Sequence, residues 1–524
     1  MSGHEAIDEL LAEAGVDGLR LRGALALLSG GRWWTLSDLV RETATSRRTI
    51  ESLLRALPLE HSGDRVRIPI DQVNRYNVAI DTDISGLGNP VSEMVAAHAE
   101  TLGRLETLIA EAPRGRHALD HVSATADTVL RRALLLGRRF WLPGARLLCV
   151  GDHDLTSLAV RMVHPEVEVA VADIDDRILE YIDAQDLGVR TRWADLRLGL
   201  PPSLRGWADL AITDPPYTPE GIGLFAARAA EGLRDRDRGR ILVAYGASER
   251  TPMLALKVQK ALIDLNLLQE AIFPHFNRYH GAEAIGSAAD LYVLRPTTKT
   301  WPAIASRLDR LATAIYTQGP QSVESAPAAP PDEAAVTAFG PDLLAGDWPR
   351  GLLPQVPRTR LATLLAKPYA ADPGRVAIAV PAGLEAALPR LLLATRARHV
   401  RVLTAGPITD PAALAALLAP VYALTVAPRE TGHVLDAVRL ARPDGGPDRA
   451  IRTIMDNAHG KVANTWRETL TETAGLTKRQ ARAAVEEAAP WALDATPLEL
   501  PLHRFAQMAA LITATRLPGG GEGG

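Results

Sequence analysis

A single cysteine, Cys149, stands in a chain of 524 residues. It has no internal partner for a disulfide and cannot build a zinc–thiolate cluster, so a reducing compartment and no metal site are expected. Lysine is scarce as well: six of the 58 basic residues are lysine, the first of them Lys257. The remainder are arginine, which together with the abundance of alanine reads as genome composition rather than as a functional arginine cluster. Charge of either sign is nearly balanced, with a formal net charge of -4. That gives no global electrostatic case for nucleic acid or an anionic membrane surface as a partner. No run of about 18 apolar residues is free of charge, which argues against a membrane span. The opening MSGHEAIDELLAEAGVDG is acidic and has no basic n-region, so no export signal is read there and a cytoplasmic location is expected.

What the chain does have is globular: 47% hydrophobic and 23% charged residues. At roughly 100 to 200 residues per domain, its length predicts about three domains. Residues 1–75 read as a winged-helix domain. Thr35 caps one helix, and TSRRTIESLLRAL sets Ile50, Leu53, Leu54 and Leu57 at helical spacing. Two short extended runs about a Ser-Gly-Asp turn would form the wing. Arg47, Arg48 and Arg55 would face DNA, but Glu42, Glu51 and Glu60 dilute them, so packing or dimerisation is the favoured use. Residues 76–140 read as a helical bridge, 301–333 as a linker rich in Pro, Ala and Ser, and 334–524 as a carboxyl-terminal domain. In that last domain RVAIAV, HVRVLTA and YALTVA are strand-like runs alternating with helical stretches, followed by further helices.

Residues 141–300 carry the chemistry. ARLLCVG (145–151) reads as the buried first strand of a parallel sheet and its turn. Gly151 and Asp152 open that turn, which continues through His153 and Asp154 into a helix. Carboxylates there would repel a pyrophosphate, so a dinucleotide is disfavoured and a cationic ligand favoured. The next strand ends in Asp173 and Asp175, about 20 residues past the glycine, where an acid hydrogen-bonds ribose hydroxyls. Asp195 follows a third strand, at a place suited to the amino group of an adenine. A fourth strand ends in Asp214-Pro215-Pro216-Tyr217, the most specific motif of the chain. Its prolines lack N–H donors, so carbonyls and carboxylate offer acceptors while Tyr217 offers a ring face to a cation. Four acids at four consecutive strand ends point to a nucleoside-sulfonium site on a Rossmann-like domain of the S-adenosylmethionine-type methyltransferase fold. Such acidity suggests a polycationic acceptor, a decarboxylated donor, or both. The fold class is therefore α/β: an N-terminal winged helix, the Rossmann-like domain, and a second, smaller α/β plus helical C-terminal domain.

GDHDLTSLA (151–159), ADLAITDPPYTPEGIGLF (208–225) and FNRYHGAEAIGSAADLYVL (276–294) resemble the branched-chain polyamine synthases, the N4-bis(aminopropyl)spermidine synthase family. The resemblance covers roughly residues 20–300 and leaves 334–524 unexplained. It implies transfer of an aminopropyl group from decarboxylated S-adenosylmethionine to an amine nitrogen of spermidine or a related polyamine, releasing methylthioadenosine. The family's first motif is Gly-Asp-Asp-Asp-Leu, and His153 departs from it.

The chemistry also follows from the amine. With a pKa near about 10, an aliphatic amine is protonated at neutral pH and must lose that proton before it attacks carbon. Asp154 would hold the ammonium and pass the proton outward, while Asp214 and Tyr217 fix a second nitrogen and face the donor. Gly151, Asp152, Asp173, Asp175 and Asp195 would bind the donor; His153, Pro215, Pro216, Tyr279 and Glu283 would line the acceptor side. The polar, glycine-bearing stretch from Phe276 to Tyr292 fits a loop over the site. A homodimer is the expected assembly. Two rivals are an S-adenosylmethionine-dependent amino-methyltransferase, and a non-catalytic winged-helix regulator that senses a polyamine or nucleoside.

Overall fold

The computed structural model describes residues 3–14, 19–76, 90–307, 314–323 and 333–514. Of the expected 301–333 linker, residues 308–313 and 324–332 lie outside the described residues, while Thr300–Arg307 is helical. Contacts group the chain into two compact units. Met1–Val169, Ala208–Leu311 and Ile315–Thr317 form the first; Ala170–Trp207, Ala312–Ala314 and Gln318–Gly524 form the second. The architecture is α/β with Rossmann-like sheets, and no helix among the described residues is long and apolar enough to cross a membrane.

After the helix Gly3–Ala14, the first unit continues with helices Leu19–Ser29, Leu36–Thr43 and Arg47–Ala56, called the first, second and third, and strands β1 (Trp34–Thr35), β2 (Glu60–Ser62) and β3 (Arg65–Arg67), paired antiparallel in the order β1-β3-β2. Leu25, Leu28, Leu39, Ile50 and Leu53 make its dry core, as their helical spacing requires. Thr35 caps the second helix by accepting from the Asp38 N–H at 3.1 Å. The third helix is tied at its start to other parts of the unit, although Arg47 and Arg48 are exposed. The Ser46 and Thr49 hydroxyls each donate to Glu249 Oε1 at 2.7 Å, and Arg47 is paired with Glu51 and Glu283.

The strands that follow are β4 (Arg146–Val150), β5 (Glu168–Asp173), β6 (Arg190–Trp193), β7 (Leu210–Thr213), β8 (Arg240–Tyr245), β9 (Leu267–Arg278) and β10 (Ala288–Pro296). In the first unit the order is β4-β7-β8-β10-β9; β4, β7 and β8 are parallel, and β10 runs antiparallel to β8 and β9. Leu147, Leu148, Cys149 and Val150 of β4 are all buried, the pattern of a strand covered on both faces. Gly151 then takes φ +74°, turning the chain out of the strand. The expected loop over Phe276–Tyr292 is instead a hairpin. β9 runs to Arg278 and β10 resumes at Ala288, because alternating residues such as Phe276, Leu291 and Val293 have a core to enter and only 279–287 is left for the turn.

In the second unit β5 and β6 pair in parallel. A separate six-stranded sheet is built from β11 (Leu343–Ala345), β12 (Arg358–Thr359), β13 (Arg375–Val380), β14 (His399–Thr404), β15 (Tyr422–Pro428) and β16 (His433–Arg439), in the order β12-β11-β13-β14-β16-β15. Helices Gly446–Asp456, Val462–Ala474, Lys478–Ala488 and Leu502–Ala514 close the chain.

Gly286, in the hairpin turn, has φ +76°, and a Cβ there would stand 2.7 Å from the Ala44 carbonyl carbon and 2.9 Å from the Thr45 nitrogen. Backbone cannot yield as a flexible side chain can. Gly286→Ala should therefore destabilise the fold by about 1–3 kcal/mol. Urea unfolding measures it; an unchanged midpoint would show that the close approach carries no energy.

Candidate active site

The carboxyl ends of β4 and β7 present the two sequence motifs to one another. After Gly151, the Asp152 carboxylate accepts from the Ser157 N–H at 3.1 and 3.3 Å, which anchors the helix Thr156–Val163. Leu155 takes φ +62°, and the next turn brings Asp154 inward. Asp154 Oδ1 accepts the Ala124 N–H at 2.8 Å, and Oδ2 accepts Arg132 Nη1 at 2.9 Å. From the other strand, Thr213 donates to the Val150 carbonyl at 2.7 Å, and Thr218 caps the helix Pro219–Gly232. Asp214 and Tyr217 are thus held between two fixed points.

Arg132 joins the motifs. It lies on the helix Ala126–Arg139 and is 2% exposed. Its Nη2 reaches Asp214 Oδ2 at 2.5 Å, its Nε donates to Asn277 Oδ1 at 2.8 Å, and its Nη1 also reaches Thr156 Oγ1 at 3.2 Å. Tyr279, at the end of the hairpin strand β9, donates to Asp214 Oδ2 at 2.7 Å; Tyr217 reaches Asp214 Oδ1 at 3.0 Å. The two phenol oxygens are 2.8 Å apart. One guanidinium, two carboxylates and two phenols form a single connected network with net charge -1, because one arginine faces two aspartates.

Burial sets the titration of the network. It pushes the Asp214 carboxyl up from 3.8 to about 6; Arg132 pulls the other way and Asp154 adds to the rise. Burial, then the Asp214 charge, lifts the phenols of Tyr217 and Tyr279 well above their ordinary value. Burial works against charge on Arg132, but Asp214 and Asp154 outweigh it and hold the guanidinium protonated. A carboxylate near 6, 17% exposed at its side chain, is suited to take a proton at neutral pH.

Beside Asp154 lies a cavity of about 170 Å³, lined by residues that include Pro113, Gly115, Ala124, His153 and Asp154. The His153 ring stacks on His121 at 4.4 Å, 17° from parallel. Pro215 and Pro216 are buried, and the Pro216 carbonyl accepts the Thr218 N–H at 2.8 Å, so that acceptor serves the turn. Glu283 stands apart from this network: it is held by Ser37 and Arg47 of the amino-terminal module, whose cations lower its pKa after the Ser37 hydroxyl does.

Apart from Asp152, the carboxylates expected to meet the donor stand in the second unit. Asp173 Oδ1 accepts the Asp175 N–H at 2.8 Å. Asp175 caps the helix Asp176–Ala184 and is paired with Arg177, Nη2 at 2.5 Å. Asp195 is forked by Arg197, Nε at 2.8 Å and Nη2 at 2.6 Å. Both acids therefore carry a cation two residues downstream.

Sequence reasoning missed Arg132 and Asn277. Its signal was there: Arg132 falls among Val129, Leu130, Ala133 and Leu136, a charge in the middle of an apolar run, and a buried arginine requires buried acids.

Residues 100–323 match the family described as the branched-chain polyamine synthase A C-terminal domain. An uncharacterized protein of Methanocaldococcus jannaschii is 38% identical over 174 residues, covering 32% of this chain and 43% of that protein. The N(4)-bis(aminopropyl)spermidine synthase of the same organism is 29% identical over 190 residues, covering 35% of this chain and 53% of the synthase. A crystal structure of the branched-chain polyamine synthase from Thermus thermophilus with N4-aminopropylspermidine and 5'-methylthioadenosine overlaps at 19% identity and a TM-score of 0.40, covering 56% of this chain and 92% of that one. The chain spans about half or less of the length of these two curated relatives.

Asp214 should titrate near 6 in the folded protein, and Arg132→Gln should move that midpoint upward by removing the cation that opposes the shift. Because the folded value lies above the unfolded one, the stabilisation from protonated Asp214 is complete below about 4 and is lost as pH rises through about 6. Carboxyl-carbon NMR across pH 3–8 reads it; a midpoint near 4 in both proteins would refute the burial argument.

Proposed function

We propose, for a chain whose residues 100–323 match the branched-chain polyamine synthase A C-terminal domain, that it transfers an aminopropyl group from decarboxylated S-adenosylmethionine to an amine nitrogen of spermidine or a related polyamine. Methylthioadenosine is the other product. The observation that carries this reading is the buried network of Arg132, Asp154, Asp214, Tyr217 and Tyr279. It joins a fixed cation to acceptors in number enough to receive an ammonium and take its proton.

Asp154 and Tyr217 orient the acceptor, and Asp214, raised by burial, is the group that accepts the proton. The freed nitrogen lone pair attacks the propyl methylene beside the sulfonium. That carbon–sulfur bond breaks, its electron pair returns to sulfur, and neutral methylthioadenosine leaves. Tyr279, bonded to both Tyr217 and Asp214, offers a path for the proton away from the new carbon–nitrogen bond. Orientation supplies much of the rate in such an in-line displacement. Asp173, at the end of β5, is assigned to the ribose hydroxyls, with Asp195 near the adenine and Gly151 and Asp152 at the opening turn. His153, stacked over the cavity beside Asp154, lines the acceptor side. The amino-terminal module fits a winged helix used for packing, since Arg47 and Ser46 at the start of its third helix are spent on Glu283 and Glu249.

Mass spectrometry of the full chain with spermidine and each donor separates the readings. The decarboxylated donor should add roughly 57 mass units per transfer, and intact S-adenosylmethionine should add none; a gain of roughly 14 with the latter would turn the reaction to methyl transfer, since the outcome depends on which sulfonium carbon the held amine meets. Asp154→Asn should abolish transfer with nucleoside binding nearly intact, and Asp173→Ala should chiefly weaken the donor. Turnover by Asp154→Asn at the parent rate would end its role at the amine.

A further inference from the structure

Three of the four acids assigned to the donor, Asp173, Asp175 and Asp195, sit on elements that fold with the carboxyl-terminal part of the chain, since Ala170–Trp207 groups with Gln318–Gly524. The contacts are specific and largely charged. Asp176, beside the cap residue Asp175, has its Oδ1 bonded by Arg390 Nη2 at 3.2 Å and by the Leu502 N–H at 2.8 Å. Arg390 is wholly buried on the helix Leu388–Thr395, and its guanidinium lies 4.0 Å above the ring of Trp193, the last residue of β6. At the far end of the same helix as Asp176, Asp183 Oδ2 is bonded by His503 Nε2 at 2.6 Å and Arg504 Nε at 2.8 Å. Arg190 and Arg192 of β6 both pair with Asp494.

The most direct link runs to Asp195 itself. Arg197 forks its carboxylate and, through the same Nη2, donates to the Gly383 carbonyl at 2.8 Å. Gly383 sits at φ +84°, and its N–H donates to Glu385 Oε2 at 2.7 Å, so the carbonyl is aimed by its own turn. A few residues on, the Ser203 N–H donates to Glu499 Oε1 at 2.9 Å. These are directional contacts from the carboxyl-terminal part of the chain to the helix that Asp175 caps, to β6 and to the turn of Asp195, and a planar fork constrains orientation where a greasy contact would not.

We propose that the carboxyl-terminal α/β and helical domain is the holder of the donor-side acids, with Arg197 as the positioning residue that sets Asp195 against the turn at Gly383. This rests on the aminopropyl-transfer reading for what Asp195 binds. It assigns a task to residues 333–514, which that reading leaves unused. Removing the hold should weaken the nucleoside and spare the amine.

The test is calorimetry on the full chain with 5'-methylthioadenosine and, separately, spermidine. Arg197→Lys keeps the charge but cannot fork Asp195 and reach Gly383 together. It should raise the methylthioadenosine Kd roughly fivefold while the spermidine Kd stays within about twofold, the kind of loss a small misplacement causes. Asp494→Asn, at a half-buried site and of nearly the same volume, should raise the nucleoside Kd about twofold with the same melting temperature, again by small misplacement. It keeps the test decisive should Arg197→Lys fold poorly. Methylthioadenosine affinity equal to the parent's in the variants that fold would overturn the proposal. No binding of methylthioadenosine to the parent protein would instead remove the donor assignment, and this inference with it.

Discussion

Everything at the active site depends on one buried guanidinium. Arg132 is taken out of water, beside a second buried arginine, Arg131, and a charge in that place without partners would cost far more than any packing returns. Two aspartates from separate strands offset it, and an asparagine and a threonine use its remaining donors. The arrangement fixes the distance between the two motifs more firmly than either loop could alone. It also leaves one negative charge uncompensated, which is the chemical character an ammonium needs.

The same ion explains why the two aspartates differ. Asp154 is tied at both oxygens, to Ala124 and Arg132, and is nearly enclosed. Asp214 is more open and shares its oxygens with two phenols. Burial and a neighbouring carboxylate raise it, while the arginine limits the rise, so it comes to rest near neutrality rather than far above it. An acid near 6 that sits on a relay of hydroxyls has the chemistry proposed for the proton acceptor, and an acid held by an arginine and an amide has the fixed position proposed for orienting the amine.

Much of this was legible in the sequence, for reasons that can be named. A both-faces-buried strand such as Arg146–Val150 leaves a continuous apolar run, and Asp214-Pro215-Pro216-Tyr217 cannot be anything but a rigid turn. The strand-like runs read at 375–380, 399–405 and 422–427 are strands Arg375–Val380, His399–Thr404 and Tyr422–Pro428. What the sequence concealed was pairing at a distance. Arg132 lies 82 residues from Asp214, and Asn277 lies 145 from Arg132, so no local pattern ties them. The cap roles of Asp152 and Asp175 were foreseeable, since an acid before a helix has N–H groups to satisfy. The stretch Phe276–Tyr292 read as a loop over the site or a hairpin with polar exposure, and the structure takes the hairpin, its glycines and polar residues at 281–287 forming the turn.

The central claim joins a geometry to a reaction, so the measurement that tests it must read both. The pH dependence of methylthioadenosine release from decarboxylated S-adenosylmethionine and spermidine does so. The account predicts release that falls away below about pH 6, where Asp214 becomes protonated and can no longer take the proton of the amine. Release that holds level from pH 5 to 8, or no release at any pH, would contradict it.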